Sequence, residues 1–234
     1  MKFENKLIEG TLIKRYKRFL VDVELNDGNV VTAHCANSGS MMSLLEDGNK
    51  VLLSPNTNPK AKLDWRWEIV DVGSSLVGIN TSRPNYIVEE GILNGTIKQL
   101  SGYDNLRREV KYGNNSRIDI LLEKIMEPSC YVEVKNATLC REKGVVEFPD
   151  GVTARGAKHL AELSDMVKQG SRAVMIYLVN RTDCKKFRIA KDIDNNYYNE
   201  FLKAIDNGVE MLAYNVNINK NEIYTNNIVE IDKG

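Results

Sequence analysis

Two acids and a lysine are the residues of this chain best suited to chemistry. Asp119 stands between Ile118 and Ile120, and Glu133 and Lys135 flank Val134. The runs around them, Arg117-Ile118-Asp119-Ile120-Leu121-Leu122 and Cys130-Tyr131-Val132-Glu133-Val134-Lys135, are rich in β-branched and apolar residues. Glu127-Pro128-Ser129 separates them, so each run reads as a strand and the pair as a hairpin. Positions two apart on a strand leave the same face, which puts Glu133 and Lys135 side by side. Pairing of the strands then brings Asp119 next to that acid-x-lysine unit. Two carboxylates and an ammonium in this arrangement suit a divalent cation and the water it activates. The plainer alternative is an exposed Glu-x-Lys pair with an acid that guards a sheet edge.

The hairpin needs a frame. Residues 81–84, Thr81-Ser82-Arg83-Pro84, open a helix that runs from Tyr86 to Leu93 and stops at Asn94-Gly95. A strand around Val110, the Asp119 strand and the Glu133 strand follow. Thr153 caps a second helix through Gln169, with Leu160, Leu163 and Val167 at helical spacing and Gly170 ending it. Residues 172–180 are nearly all apolar, as a strand buried on both faces must be. A helix over residues 197–204 and strands over 211–216 and 223–231 complete this part.

The first eighty residues read as all-β. Residues 12–25 and 30–36 alternate in polarity and are joined through Asn26-Asp27-Gly28-Asn29, a hairpin signal. Residues 51–53 and 65–72 are further strands, and short strands with frequent turns predict a small barrel. On it, Lys14-Arg15-Tyr16-Lys17-Arg18 combines cations for phosphates with a ring for stacking, the chemistry of a single-strand-binding surface. The competing reading is a solvated edge strand. Asn37-Ser38-Gly39-Ser40 is a small polar loop after a strand, either an ordinary turn or a source of backbone N–H groups for a phosphate.

The chain has 234 residues, with 32 Lys and Arg against 32 Asp and Glu, so any polyanion must be met by local basic patches. No apolar run reaches the roughly 18 residues of a membrane span, and Met1-Lys2-Phe3-Glu4-Asn5-Lys6 lacks a signal core. A cytoplasmic protein with reduced cysteines is expected. Cys35, Cys130, Cys140 and Cys184 show no Cys-x-x-Cys spacing, and with His34 and His159 as the two histidines a structural zinc site is not expected. Serine-hydrolase elbows, Walker loops and dinucleotide fingerprints are absent from the sequence.

Four blocks carry a resemblance. Ala33-His34-Cys35-Ala36-Asn37-Ser38-Gly39-Ser40-Met41, Ser116-Arg117-Ile118-Asp119, Tyr131-Val132-Glu133-Val134-Lys135-Asn136, and Phe148-Pro149-Asp150 with Arg155-Gly156-Ala157-Lys158-His159-Leu160 resemble the sugar fermentation stimulation protein A family, in order and across nearly the whole chain. The resemblance implies a mixed α/β chain, with an OB-like barrel over residues 1–80 and a PD-(D/E)xK nuclease-like domain over 81–234. It also implies DNA binding. The implied metal is Mg²⁺ or Mn²⁺, held by Asp119, Glu133 and the Val134 carbonyl, with Glu89 as a helper and Lys135 as the catalytic cation. Arg155, Lys158 and His159, spaced to share a helix face, are then phosphate contacts. One departure stands out: Ile118, not proline, precedes Asp119. The alternative within the same family is a DNA-binding regulator of sugar (maltose) metabolism that does not cleave.

Overall fold

A computed structural model describes residues 1–113 and 115–233. The N-terminal strands are β1 (Ile8–Tyr16), β2 (Leu20–Leu25), β3 (Val30–His34), β4 (Lys50–Pro55), β5 (Trp65–Asp71) and β6 (Leu76–Gly78). They pair in the order β3-β2-β1-β4-β5, and a β3–β5 contact closes the ring, with β6 added beside β5. This is a closed five-stranded barrel. Its interior is filled by inward residues of the alternating strands, among them Leu12, Val23, Leu53 and Trp67, all buried. The Trp67 indole donates to the Ile69 carbonyl, so the largest core side chain keeps its polar atom satisfied.

The expected strand over residues 12–25 is two strands. Lys17 and Arg18 both adopt left-handed backbone conformations, with φ of 47° and 65°, and turn the chain tightly between β1 and β2. No glycine or asparagine marks that turn, so the alternation of polarity reads straight through it.

Beyond the barrel come α1 (Pro84–Leu93), β7 (Asn105–Tyr112), β8 (Ser116–Glu123), β9 (Cys130–Ala137), β10 (Leu139–Glu142) and β11 (Val145–Phe148). Then follow α2 (Ala154–Lys168), β12 (Arg172–Val179), β13 (Lys186–Ile189), α3 (Asn195–Asp206), β14 (Glu210–Ile218), β15 (Ile223–Ile228) and β16 (Glu230–Asp232). The main sheet has the order β15-β14-β12-β9-β8-β7, with β9, β12 and β14 parallel. A smaller sheet, β10-β11-β13-β16, lies beside it. The segment expected as one strand over residues 223–231 therefore divides between two sheets, β15 in the large one and β16 in the small one.

β12 explains the layering. Ala173, Met175, Tyr177 and Val179 join the core under α2 and α3, while Val174, Ile176 and Leu178 join the core under α1. A strand buried on both faces cannot alternate apolar with polar, which is why its sequence is uniformly apolar. The α1-side core also includes Leu52 and Ile69, so the barrel packs directly on the sheet. The Thr153 hydroxyl accepts from Gly156 N–H and starts α2, a cap worth about 1 kcal/mol. The segment between barrel and α1 is tightly held: Glu68, 1% exposed, accepts from Ser54, Asn80 and both Nε and Nη2 of Arg83.

Candidate active site

β8 and β9 pair in register at Ile120–Val132, Leu121–Tyr131 and Leu122–Cys130. Ladder pairing stops one step before Asp119 and Glu133, and a side chain takes over. Asp119 Oδ2 accepts from Val134 N–H at 2.8 Å. Its other oxygen accepts from Asn85 Nδ2, on the first turn of α1, also at 2.8 Å. Asp119 is thus fixed by two donors from two elements. Asn85 is a site residue that the sequence reading missed, because an asparagine near a helix start reads as local capping.

Glu133 is 2% exposed, and its two oxygens have different fates. Oε1 accepts from Lys135 Nζ at 2.7 Å and faces His159 Nδ1. Oε2 is buried with no partner among the described residues. Arg155 Nε donates to His159 Nε2 at 3.3 Å, which leaves the ring proton on Nδ1, pointing at Glu133. Burial pushes the Asp119 carboxyl up to about 6, aided by the charge of Glu133. Burial acts the same way on Glu133, but the His159 hydrogen bond and the Lys135 ammonium outweigh it and hold that carboxyl below its ordinary range. The neighbouring acids are therefore driven in opposite directions, a pattern typical of functional carboxylate pairs.

These groups lie in a cavity of about 520 Å³. Asn85, Asp119, Glu133, Val134 and Lys135 line it, with Arg155 and His159 on the α2 side and Asn37 to Ser40 on the barrel side. Glu89 is not among the lining residues. Its carboxylate lies 3.4 Å from Arg108 Nε, one helical turn beyond Asn85, so α1 presents an amide to the site where a further acid was expected. Lys158 does not line the cavity either. It lies 3.5 Å from Glu162, while His159, next to it, is buried against Glu133. The face that Arg155, Lys158 and His159 were expected to share divides: Arg155 and His159 look inward and Lys158 outward. His159 contacts an acid rather than open space.

The basic cluster on the barrel also divides. Lys14, Lys17 and Arg18 are exposed. Arg15 instead donates to the carbonyls of Asn37 at 2.8 Å, Gly39 at 3.1 Å, Ser40 at 3.4 Å and its neighbour Arg18 at 3.0 Å. Tyr16 turns its hydroxyl onto Asp22 at 3.1 Å. The exposed ring at this turn is Phe19, stacked on His34. Asn37 is buried, donating to the Ile79 carbonyl and accepting from Gly39 N–H, while Ser38 lies with it on the cavity wall.

A closed five-stranded barrel is joined to a mixed α/β domain that carries the carboxylate hairpin. Residues 13–79 match the model of the SfsA N-terminal OB domain, and residues 82–222 match the sugar fermentation stimulation protein RE domain. The chain belongs to the sugar fermentation stimulation protein family. A homolog from Paramagnetospirillum magneticum is 55% identical over 92% of this chain and 90% of its own length. One from Agrobacterium fabrum is 47% identical over 100% of this chain and 98% of its own. The fold matches that of Pyrococcus furiosus SfsA, solved in complex with Ca²⁺, with a TM-score of 0.90 at 23% identity, covering 99% of this chain and 98% of that one. Among the described residues no helix is long and apolar enough to cross a membrane.

Proposed function

We propose that this protein is a metal-dependent phosphodiesterase acting on nucleic acid, with DNA as the favoured substrate and Mg²⁺ or Mn²⁺ as its cation. The observation that carries this reading is Glu133 Oε2, buried without a partner among the described residues, beside Asp119 in a cavity that also holds Lys135. A buried carboxylate oxygen with no donor carries a penalty that a cation removes. The donor set fits: all-oxygen ligands from Asp119, Glu133 and the Val134 carbonyl suit a hard divalent ion that keeps part of its water shell. The Pyrococcus furiosus relative was solved in complex with Ca²⁺, which is likewise a hard divalent ion.

When bound, the ion polarises the scissile phosphate and lowers the pKa of a water. The protein's own groups do the rest. Val134 N–H and Asn85 hold Asp119 in one orientation, and His159 with Lys135 holds Glu133 by Oε1 and leaves Oε2 as the ligand atom. The Lys135 ammonium steadies charge that builds on the phosphoryl oxygens. Arg155 has guanidinium N–H groups beyond the one given to His159 and offers them to a neighbouring phosphate. Lys14, Lys17 and Arg18 supply affinity along the strand.

The test is one assay on three proteins, wild type, Asp119→Asn and Lys135→Ala, with Mg²⁺, Mn²⁺ or EDTA, on single- and double-stranded DNA and RNA. Metal-dependent cleavage by wild type that both variants lose is expected. DNA binding with no cleavage under either metal would replace this reading with that of a non-catalytic DNA-binding regulator.

A further inference from the structure

Two loops that line the candidate cavity touch each other. Residues 37–41 come from the barrel, and residues 149–152 link β11 to α2. Asp150 Oδ2 accepts from Met41 N–H at 3.0 Å, and the Asp150 carbonyl accepts from the Ser40 hydroxyl at 2.7 Å. Gly39 permits the contact, because a Cβ there would sit 2.4 Å from Asp150 Oδ2. Both sides are anchored. Arg15 holds three carbonyls of the barrel loop, and Thr153 N–H, just past the other loop, donates to Asp194. The clasp therefore joins the barrel loop to the β11–α2 loop, and both line the cavity that Asp119 and Glu133 also line.

Size and charge point the same way. About 520 Å³ lies in the range that encloses one small-molecule-sized unit, a nucleotide rather than a turn of helix. The charged lining is Asp119, Glu133, Glu147 and Asp150 against Lys135 and Arg155. A duplex presents dense rows of phosphates and calls for a basic groove. This cavity, with four acids against one lysine and one arginine, is not such a groove.

We propose, resting on the phosphodiesterase reading, that the substrate is an unpaired strand whose nucleotide enters beneath the Ser40–Asp150 clasp, and that continuous duplex is rejected. Duplex reaches the site only after unpairing, which predicts a preference for single strands of roughly 100-fold.

The experiment compares cleavage of one labelled DNA sequence as a single strand and as a blunt duplex, by wild type, Ser40→Ala, Asp150→Ala and Gly39→Ala. Ser40→Ala removes one bond, and Gly39→Ala pushes Asp150 aside without removing a polar atom. The expected result is a single-strand preference in wild type that falls at least tenfold when the clasp is opened. Thermal melts separate an opened clasp from a lost fold. Wild type cutting duplex within threefold of single strand overturns the proposal, as does a preference unchanged in folded clasp variants. If wild type cuts neither, the phosphodiesterase reading fails on its own. Competition binding with the same two oligonucleotides then decides the strand preference: tighter single-strand binding upholds it, and equal or tighter duplex binding overturns it.

Discussion

Lys135 Nζ lies 2.7 Å from Glu133 Oε1, the oxygen that also faces His159 Nδ1. Two donors on one oxygen leave the other, Oε2, without any. The lysine thus has a place in the resting site as well as beside a phosphate. Lys135→Ala should lower cleavage by about 10²-fold or more while DNA affinity stays within a few-fold. Gel-shift and rate measurements on the same preparation check this. Parallel loss of both would assign Lys135 to binding.

The raised Asp119 carboxyl gives a pH prediction for the protein in EDTA. Its folded pKa of about 6 exceeds the ordinary 3.8, so between those values the native state keeps a proton that the unfolded chain has lost. Stability from this group falls as pH rises through that window and is lowest above it. Asp119→Asn removes the penalty, so the variant should gain on wild type by on the order of 2 kcal/mol between pH 4 and pH 7. Urea melts at both values test it. An equal difference at the two pH values would contradict the buried-carboxylate account. Adding Mg²⁺ or Mn²⁺ should raise the wild-type melting temperature more at pH 7.5 than at pH 5.

The basic cluster of the barrel should separate into two behaviours. Lys14→Ala, Lys17→Ala and Arg18→Ala should each reduce the salt dependence of DNA binding, by about one unit of log–log slope for each phosphate no longer neutralised. Arg15→Ala should leave the slope nearly unchanged. It should instead lower stability by about 1–3 kcal/mol, because it abandons carbonyls of residues 37–40. Titrations over a series of salt concentrations and a denaturant melt distinguish the two.

The segment joining barrel and α1 and the loop after β4 are both rich in Asn, Thr and Pro. The structure separates them. Thr57 to Lys60 are exposed, whereas Asn80 is buried and Arg83 is paired with Glu68. Brief trypsin treatment should cut at Lys60 or Lys62 first. Glu68→Ala strands Arg83 and Asn80 and should cost about 3–5 kcal/mol, with a new early cut near Arg83. Early cutting near Arg83 in wild type would show that the Glu68 cluster does not hold.

The carboxylate hairpin, α2 with its threonine cap and β12 were legible because each rests on local chemistry: alternation, the Thr153 cap, an unbroken apolar run. α1 forms as expected from Pro84 but without a side-chain cap, and the Asp194 cap of α3 was not read. The β1–β2 turn was not, since it forces left-handed backbone on Lys17 and Arg18, residues that carry no turn signature. Strands β10, β11 and β13 were missed because they are short and mix charges with apolar residues. The fold brings Arg141 and Arg188 onto Glu147, a grouping of residues 6 and 41 positions apart from it that no local pattern marks. Asp119, Glu133 and Lys135 could be named from spacing. Asn85 and Asp150 could not, because each acts across a sequence gap that only the tertiary fold closes. Glu89 was misplaced by a single helical turn, a shift that periodicity alone does not resolve.

Met175 stands opposite Glu133 in the parallel pairing of β9 with β12, and it enters the sheet from the far side of α2. The strand that carries Glu133 and Lys135 thus has a bare edge until residues 172–179 arrive. On the ribosome, a nascent chain that already exposes the whole barrel and every proposed metal ligand still lacks the support that fixes their register. Nucleic acid bound early by the barrel's basic residues would meet no formed cavity. By this order the proposed cutting activity would await closure of the α2 crossover.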